Sequence, residues 1–468
     1  MALGKFPRVI HNRYISRFLL VSLNIDAILQ ELTISGRRQK LGVITDDVRL
    51  GDAYSATLHR IKGEGGEKAR LGMAALMWIS HSERPLKVDE LCHSLAVKIG
   101  SPNLDASNIP SIGALLACCQ GLVTVDEEGS TARLTHFTIQ GYLRAHPELF
   151  CSVHSTMAET CLSYLNSQQV KALSTSPDSD LQTTPFLEYS SLYWGIHARR
   201  ELAGYAKLLA LKLFNNYNNH MSTKILLEAD ELYGYDIDSD NLSLFSGLHC
   251  ASLFGIVEIV ACRVEMEGCD INQGDCVGNT PLLWAAQNGH EGVVEVLLKR
   301  DDINPNKPDQ LGQTPLWGAA DNGHEDVVKK LLGLDHIDPD KPNDDGITPL
   351  WAAAENGHEG VVKALLKRDD VNPDKPNDDG ITPLSCAVFN GHEGVVKMLL
   401  GRCEVDPDKQ NYDGQTPLWG AAWNGHQGVV KMLLRRDDVD PDRPDHSGQT
   451  PLSCAYFNGH GGVTKILL

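Results

Sequence analysis

Six Gly-His pairs stand 34 residues apart, at His290, His324, His358, His392, His426 and His460. A regular file of imidazoles could hold metal ions. Spacing argues against the metal. Equivalent residues on stacked helical repeats lie about 8–10 Å apart, whereas zinc ligands lie about 2 Å from their ion, so neighbouring histidines cannot share one. A structural side chain at a helix entry is the expected role. The Asp-rich segments between the histidines lack the D-x-[DN]-x-[DN]-G calcium pattern, and Lys375, Lys409 and Arg443 interleave with the acids as on a solvated face. Cys262, Cys269 and Cys276 are evenly spaced but not at C-x-x-C intervals, and read as buried thiols. There is no G-x-S-x-G and no Cys-His signature. There is also no G-x-x-x-x-G-K-[ST]; the nearest string, Gly63-EGGEK, lacks both the loop length and the hydroxyl for magnesium. The expectation is a protein without catalytic residues, metal or cofactor.

The histidines belong to a longer phrase, TPLxxAxxNGHxxVVxxLL, which opens at Thr280, Thr314, Thr348, Thr382, Thr416 and Thr450. Thr before Pro suits an N-cap followed by the first helical position. In the third copy Leu350, Ala353 and Ala354 give a short helix a small packing face, Gly357 ends it, and Val361, Val362, Leu365 and Leu366 form the stripe of a second helix. Segments such as Asp369 to Gly380 then predict hairpin-like fingers closed by a turn at Asp-Gly. This pattern resembles the ankyrin repeat over residues 246–468: one degenerate copy at Gly247 and six 34-residue copies, the last truncated. The family's Thr-Pro-Leu-His is altered here, with Leu283, Trp317, Trp351, Ser385, Trp419 or Ser453 in place of histidine, which places its inter-loop hydrogen bond in question. Asp-Asp after the second helix, as at Asp301-Asp302, would tolerate a left-handed turn.

Residues 14–62 carry helical apolar spacing, at Phe18, Leu19, Leu23, Ile25, Ile28 and Leu29 and again at Tyr54, Leu58 and Ile61, with a polar loop around Thr45. A helix should end before Pro85, a second start near Lys87 to Asp89 and a third follow Pro110. Leu122 to Val125 and Ala132 to His136 then predict a hairpin, followed by a helix. Three helices and a two-stranded wing make a winged helix, over residues 70–150. The fold class expected is mostly α: a helical segment and winged helix, then a repeat solenoid.

The strings Leu50-GDAYSATLHRI, Met77-WISHSERPLKVDELCHSLAV, Arg133-LTHFTIQGYL and Phe186-LEYSSLYWGIHAR resemble the region after the nucleotide-binding core of fungal NACHT proteins, a group of the STAND signalling ATPases. The same winged helix is also named after a GPI inositol-deacylase. The resemblance implies a helical remnant at 1–69, the winged helix at 70–150, a helical linker at 151–245 that transmits binding to a switch, and the ankyrin array. It further implies that His136 would contact an ADP phosphate where a NACHT core is present. The expected function is intracellular protein recognition, as the sensor and switch arm of an NLR-like protein. A STAND ATPase whose P-loop core is missing from this chain, or less favourably a DNA-binding regulator, are the alternatives.

Composition narrows the partners. A net charge of −19 over 468 residues, and a third helix from Ser111 to Gln120 without Lys or Arg, argue against nucleic acid. Twelve scattered cysteines with no secretory signal fit reduced thiols in the cytoplasm. The apolar run Phe18 to Leu23 is too short for a membrane span. Within the array the frame repeats while two positions of each first helix vary. One set includes Trp284; the other comprises Gln287, Asp321, Glu355, Phe389, Trp423 and Phe457. In ankyrin arrays these positions line the concave face, so a protein ligand is expected there, on an aromatic strip beside an acidic patch. Trp317, Trp351 and Trp419 are expected to pack beneath the fingers.

Overall fold

The computed structural model describes residues 33–36, 38–39, 50–126, 128–173, 183–215, 217–229 and 244–468. The expected helix through Phe18 to Leu29, the loop at Thr45 and Glu127 of the wing tip lie outside them. The chain divides into two compact units, Met1–Leu232 and Tyr233–Leu468.

In the first unit, helices Leu50–Gly63 and Gly66–His81 pack together and bury Tyr54, Leu58, Ile61 and Leu76, while Trp78 packs its ring edge-on against Phe186 and Tyr189. Helix Val88–Ala96 starts just after Pro85, and Ile112–Cys118 starts where Ser111 accepts a hydrogen bond from the Ala114 amide. The latter crosses Gly66–His81 closely: a Cβ at Gly72 would lie 2.5 Å from the Cys118 carbonyl oxygen. Strands Val123–Asp126 and Thr131–Leu134 pair antiparallel, with Val123 opposite Leu134 and Asp126 opposite Thr131. Leu86 to Val88 adds two bonds to the second strand, from the Ala132 amide to the Leu86 carbonyl and from the Val88 amide to the Ser130 carbonyl. Helix Phe137–Ala145 completes a winged helix in the expected order.

Beyond it, Val153–Leu165 packs against Leu187–Arg200 and Gly204–Phe214, and Met221–Glu228 against Leu187–Arg200. This helical arm holds a polar network with no sequence motif to announce it. His154 and His197 face each other at 2.9 Å through their Nδ1 atoms, and His197 Nε2 lies 2.9 Å from the Tyr189 hydroxyl. That hydroxyl accepts the Glu83 amide at 3.1 Å, and Arg200 pairs with the Glu83 carboxylate, tying the arm to the loop before the wing.

The second unit is a stack of seven helix pairs between Gly247 and Leu467. Each Thr-Pro works as expected: the six Thr hydroxyls accept the amide three residues on, at 3.1–3.3 Å. The core is built from the repeated Leu, Ala and Val positions, among them Leu350, Ala353, Ala354, Val362 and Leu365, each fully buried. The fingers end in tight turns. In one, Asn343 Oδ1 accepts the amides of Asp345 and Ile347 while Gly346 takes φ 76°.

Successive pairs are fastened by side chains that reach back one repeat. All six Gly-His rings donate from Nε2 to carbonyls of the preceding first helix or its end, those of Leu253, Gln287, Asp321, Glu355, Phe389 and Trp423, at 2.8–3.0 Å. In the fingers Lys307, Lys341, Lys375 and Lys409 donate to the preceding finger's carbonyls at 2.7–3.2 Å. Lys375, Lys409 and Arg443 are therefore inter-finger ties rather than a solvated face, since an ammonium satisfies carbonyls that neighbouring turns leave open.

Two further expectations change. The Asp-Asp pairs adopt no left-handed backbone. Instead Asp302, Asp370 and Asp438 grip Arg300, Arg368 and Arg436, whose Nη1 atoms donate to Val264, Leu332 and Leu400 of the preceding repeat. The histidine of the Thr-Pro-Leu-His phrase is kept in the degenerate copy and replaced as a donor in two of the others, while the Trp419 indole N–H makes no such bond. His249 of the degenerate copy bonds the Gln273 carbonyl, and Trp317 and Trp351 donate their indole N–H to Ile347 and Ile381. Trp317→Phe keeps an aromatic ring but loses this donor and part of the indole's packing, so urea denaturation should show a loss of at least about 1 kcal/mol; an unchanged midpoint would remove the indole bond from the account.

Candidate protein-recognition surface

The variable positions lie on the first helix of each pair. The backbone that carries them is pinned, because the carbonyls of Gln287, Asp321, Glu355, Phe389 and Trp423 are those gripped by the histidine of the following repeat.

Trp284 is not on the accessible surface. It is 3 % exposed and its indole N–H donates to Asp275 at 2.9 Å, so it belongs to the packing of the first copies. The other members of its set, Gly318, Ala352, Cys386, Gly420 and Cys454, are small and buried, forming the floor. Gln287 is half-buried against Gly318. Asp321 is half-buried and accepts the Asn356 amide at 3.0 Å; burial raises its carboxyl above the usual range, which that bond opposes. Glu355 is exposed, and its carboxyl is raised by partial burial and then by the Asp321 charge.

The aromatic members face out: Phe389 is 48 %, Trp423 40 % and Phe457 78 % exposed. The Trp423 ring stacks on Trp419 with centroids 5.1 Å apart and planes at 11°, which holds it in place. Tyr456, which the sequence reading passed over, is 71 % exposed and adjoins Phe457. Its signal was present, as an aromatic at a position filled by alanine or valine in the earlier copies. A cleft of about 270 Å³ opens beside Phe389, between Trp351 and Trp419.

His136 occupies a separate place, in the winged helix. Its Nδ1 accepts the Thr138 amide at 3.3 Å as the N-cap of helix Phe137–Ala145 and lies 2.6 Å from the Thr138 hydroxyl, which in turn meets the Tyr54 hydroxyl. The ring is thus committed on one side to its own helix. The helix that would enter a DNA groove shows Gly113, Ala114 and Ala117 to solvent and contains no cation, and Arg133 on the wing pairs with Asp126. Among the described residues no helix is long and apolar enough to cross a membrane, and no group of three or more His, Cys, Asp or Glu could hold a metal.

Residues 61–158 match the family model described as the GPI inositol-deacylase winged helix domain. Residues 248–343, 316–411 and 397–468 match the model for ankyrin repeats. No curated protein matches the chain. The first unit's three helices and wing, and the second unit's stacked pairs, agree with these matches: the chain carries a winged-helix domain followed by ankyrin repeats.

Proposed function

We propose that this chain is a non-enzymatic recognition protein that captures a protein ligand on the concave face of its ankyrin array. Ankyrin repeats generally bind proteins, and the observation that carries this reading is an exposed aromatic strip on a frame otherwise held constant. Phe389, Trp423 and Phe457 stand open where water would not favour them, and the backbone of the first two is fixed from behind by His426 and His460. The winged helix, which resembles that of NACHT proteins, supports the further reading of the chain as the sensor and switch arm of an NLR-like signalling protein of the cytoplasm. The first unit's helical arm, tied by Arg200 to Glu83 in the loop before the wing, is suited to relay strain within that unit.

The test is the triple replacement of Phe389, Trp423 and Phe457 by Ala. Helical content should persist, because none of the three is buried. Buried aromatic anchors at interfaces are each worth about 2 kcal/mol or more, so proteins captured from the source cells by the unmodified chain should be lost at least a hundredfold. Capture of the same proteins at full yield would sink the proposal.

A further inference from the structure

Position three after each Thr is an indole in the copies at Thr314, Thr348 and Thr416, but Ser385 in the copy between the last two. Where Trp317 and Trp351 fill the base of the next finger, Ser385 turns its hydroxyl back to Thr382 at 2.9 Å and leaves the space open. The result is the cleft of about 270 Å³. Trp351 stands on one flank and Trp419 on the other, and Phe389 closes the outer wall.

One charged side chain lines this cleft, the carboxylate of Glu355. Among the described residues no cation lies within ion-pair distance of it, and no Lys or Arg lines the space. Aromatic faces attract a cation through their quadrupole, and a carboxylate at the mouth supplies the countercharge. An apolar stem with a charged tip also matches an aromatic lining that carries a single carboxylate. The chain's net charge of −19 favours approach of a basic segment over an acidic one.

We infer that the cleft between Trp351 and Trp419 seats an Arg or Lys side chain of a basic segment in the protein partner, with Glu355 as its counter-ion and Ser385 as the residue that opens the site. The inference rests on the proposed recognition role of this face and gives it a chemical preference. A neutral side chain would leave the Glu355 charge partly desolvated and unpaired, so the site discriminates as well as attracts.

Two substitutions isolate the cleft without threatening the fold. Ser385→Trp installs the residue that the sibling repeats already carry at this position, filling the space. Glu355→Gln keeps the shape of an exposed side chain and removes its charge. The full chain is panned against a random heptapeptide phage library, and enriched peptides are synthesised and titrated against each variant. Peptides bearing a central Arg or Lys are expected, with affinity falling at least tenfold for Ser385→Trp, for Glu355→Gln, and when the basic residue is replaced by norleucine. Enriched peptides that lack a basic residue, or that bind both variants undiminished yet are lost on the Phe389, Trp423 and Phe457 replacement, would overturn the cleft assignment and leave the recognition role standing. Peptides indifferent to every one of these changes, or no specific peptides at all, would overturn both.

Discussion

Lowering the pH from 7 to 4 is expected to unfold the first unit ahead of the repeat array, with a loss on the order of 3 kcal/mol from each of two buried histidines. His197 is fully buried and pushed down to about 3, first by burial and then by His154, Arg200 and His81. His220 is buried and pushed down to about 4, chiefly by burial, with Lys171 adding to it and the bond to the Leu165 carbonyl opposing it. An unfolded histidine takes up its proton near pH 6.5, at about the ordinary value. Between that pH and the folded values the unfolded chain binds more protons than the native one. Stability present above pH 6.5 is therefore lost as the pH falls through it. In the array, burial raises the carboxyls of Asp309, Asp340 and Asp374, which favour the folded state as they protonate and offset the loss from the buried His249, whose ring burial pushes down. Thermal melts followed by near-UV circular dichroism, to which the buried Trp78 and Trp194 of the first unit contribute beside the tryptophans of the array, should show an early transition that moves down sharply between pH 7 and 4. A first transition at the same temperature at both values would refute the account.

Gly357→Ala should destabilise the array by about 3 kcal/mol. Gly357 sits at φ 72°, where a side chain costs about 1–2 kcal/mol. Its new Cβ would also lie 2.6 Å from the His392 ring, which would have to move and give up its bond to the Glu355 carbonyl, worth about 1 kcal/mol. Gly459 provides the control: it has φ 74° and nothing within 4 Å of the added atom. Gly459→Ala should therefore carry only the backbone part, and the difference between the two in urea denaturation measures the histidine tie. Equal costs would show that the ring adjusts freely.

The comb of Thr-Pro pairs made the helix starts legible, because an N-cap is a local device: the hydroxyl and its amide are three residues apart. The winged helix was legible for the same reason, with Pro85, Pro110 and the turn after Asp126 marking ends that the chain itself dictates. Ties across 30 or more residues were not. Nothing in a period tells whether Lys375 points to water or to the Asp340 carbonyl, since that depends on the stagger between stacked fingers. Depth was illegible too. Trp284 and Trp423 are both indoles in equivalent helices, yet Asp275 draws the first inward and the second stands at the surface. The meeting of His154 and His197, 43 residues apart, depends on the crossing of two helices whose apolar patterns alone do not set their rotation.

The histidine and lysine ties all run in one direction, from a donor to an acceptor in the copy just before it, and the same string NDDGITPL stands at Asn343 and at Asn377. An unequal crossover between such stretches would add or remove 34 residues and rejoin each donor to an equivalent acceptor. The histidine and lysine ties can therefore survive a change of array length made in one genetic step. A lineage could lengthen, shorten or reshuffle its binding face while inheriting the same scaffold chemistry.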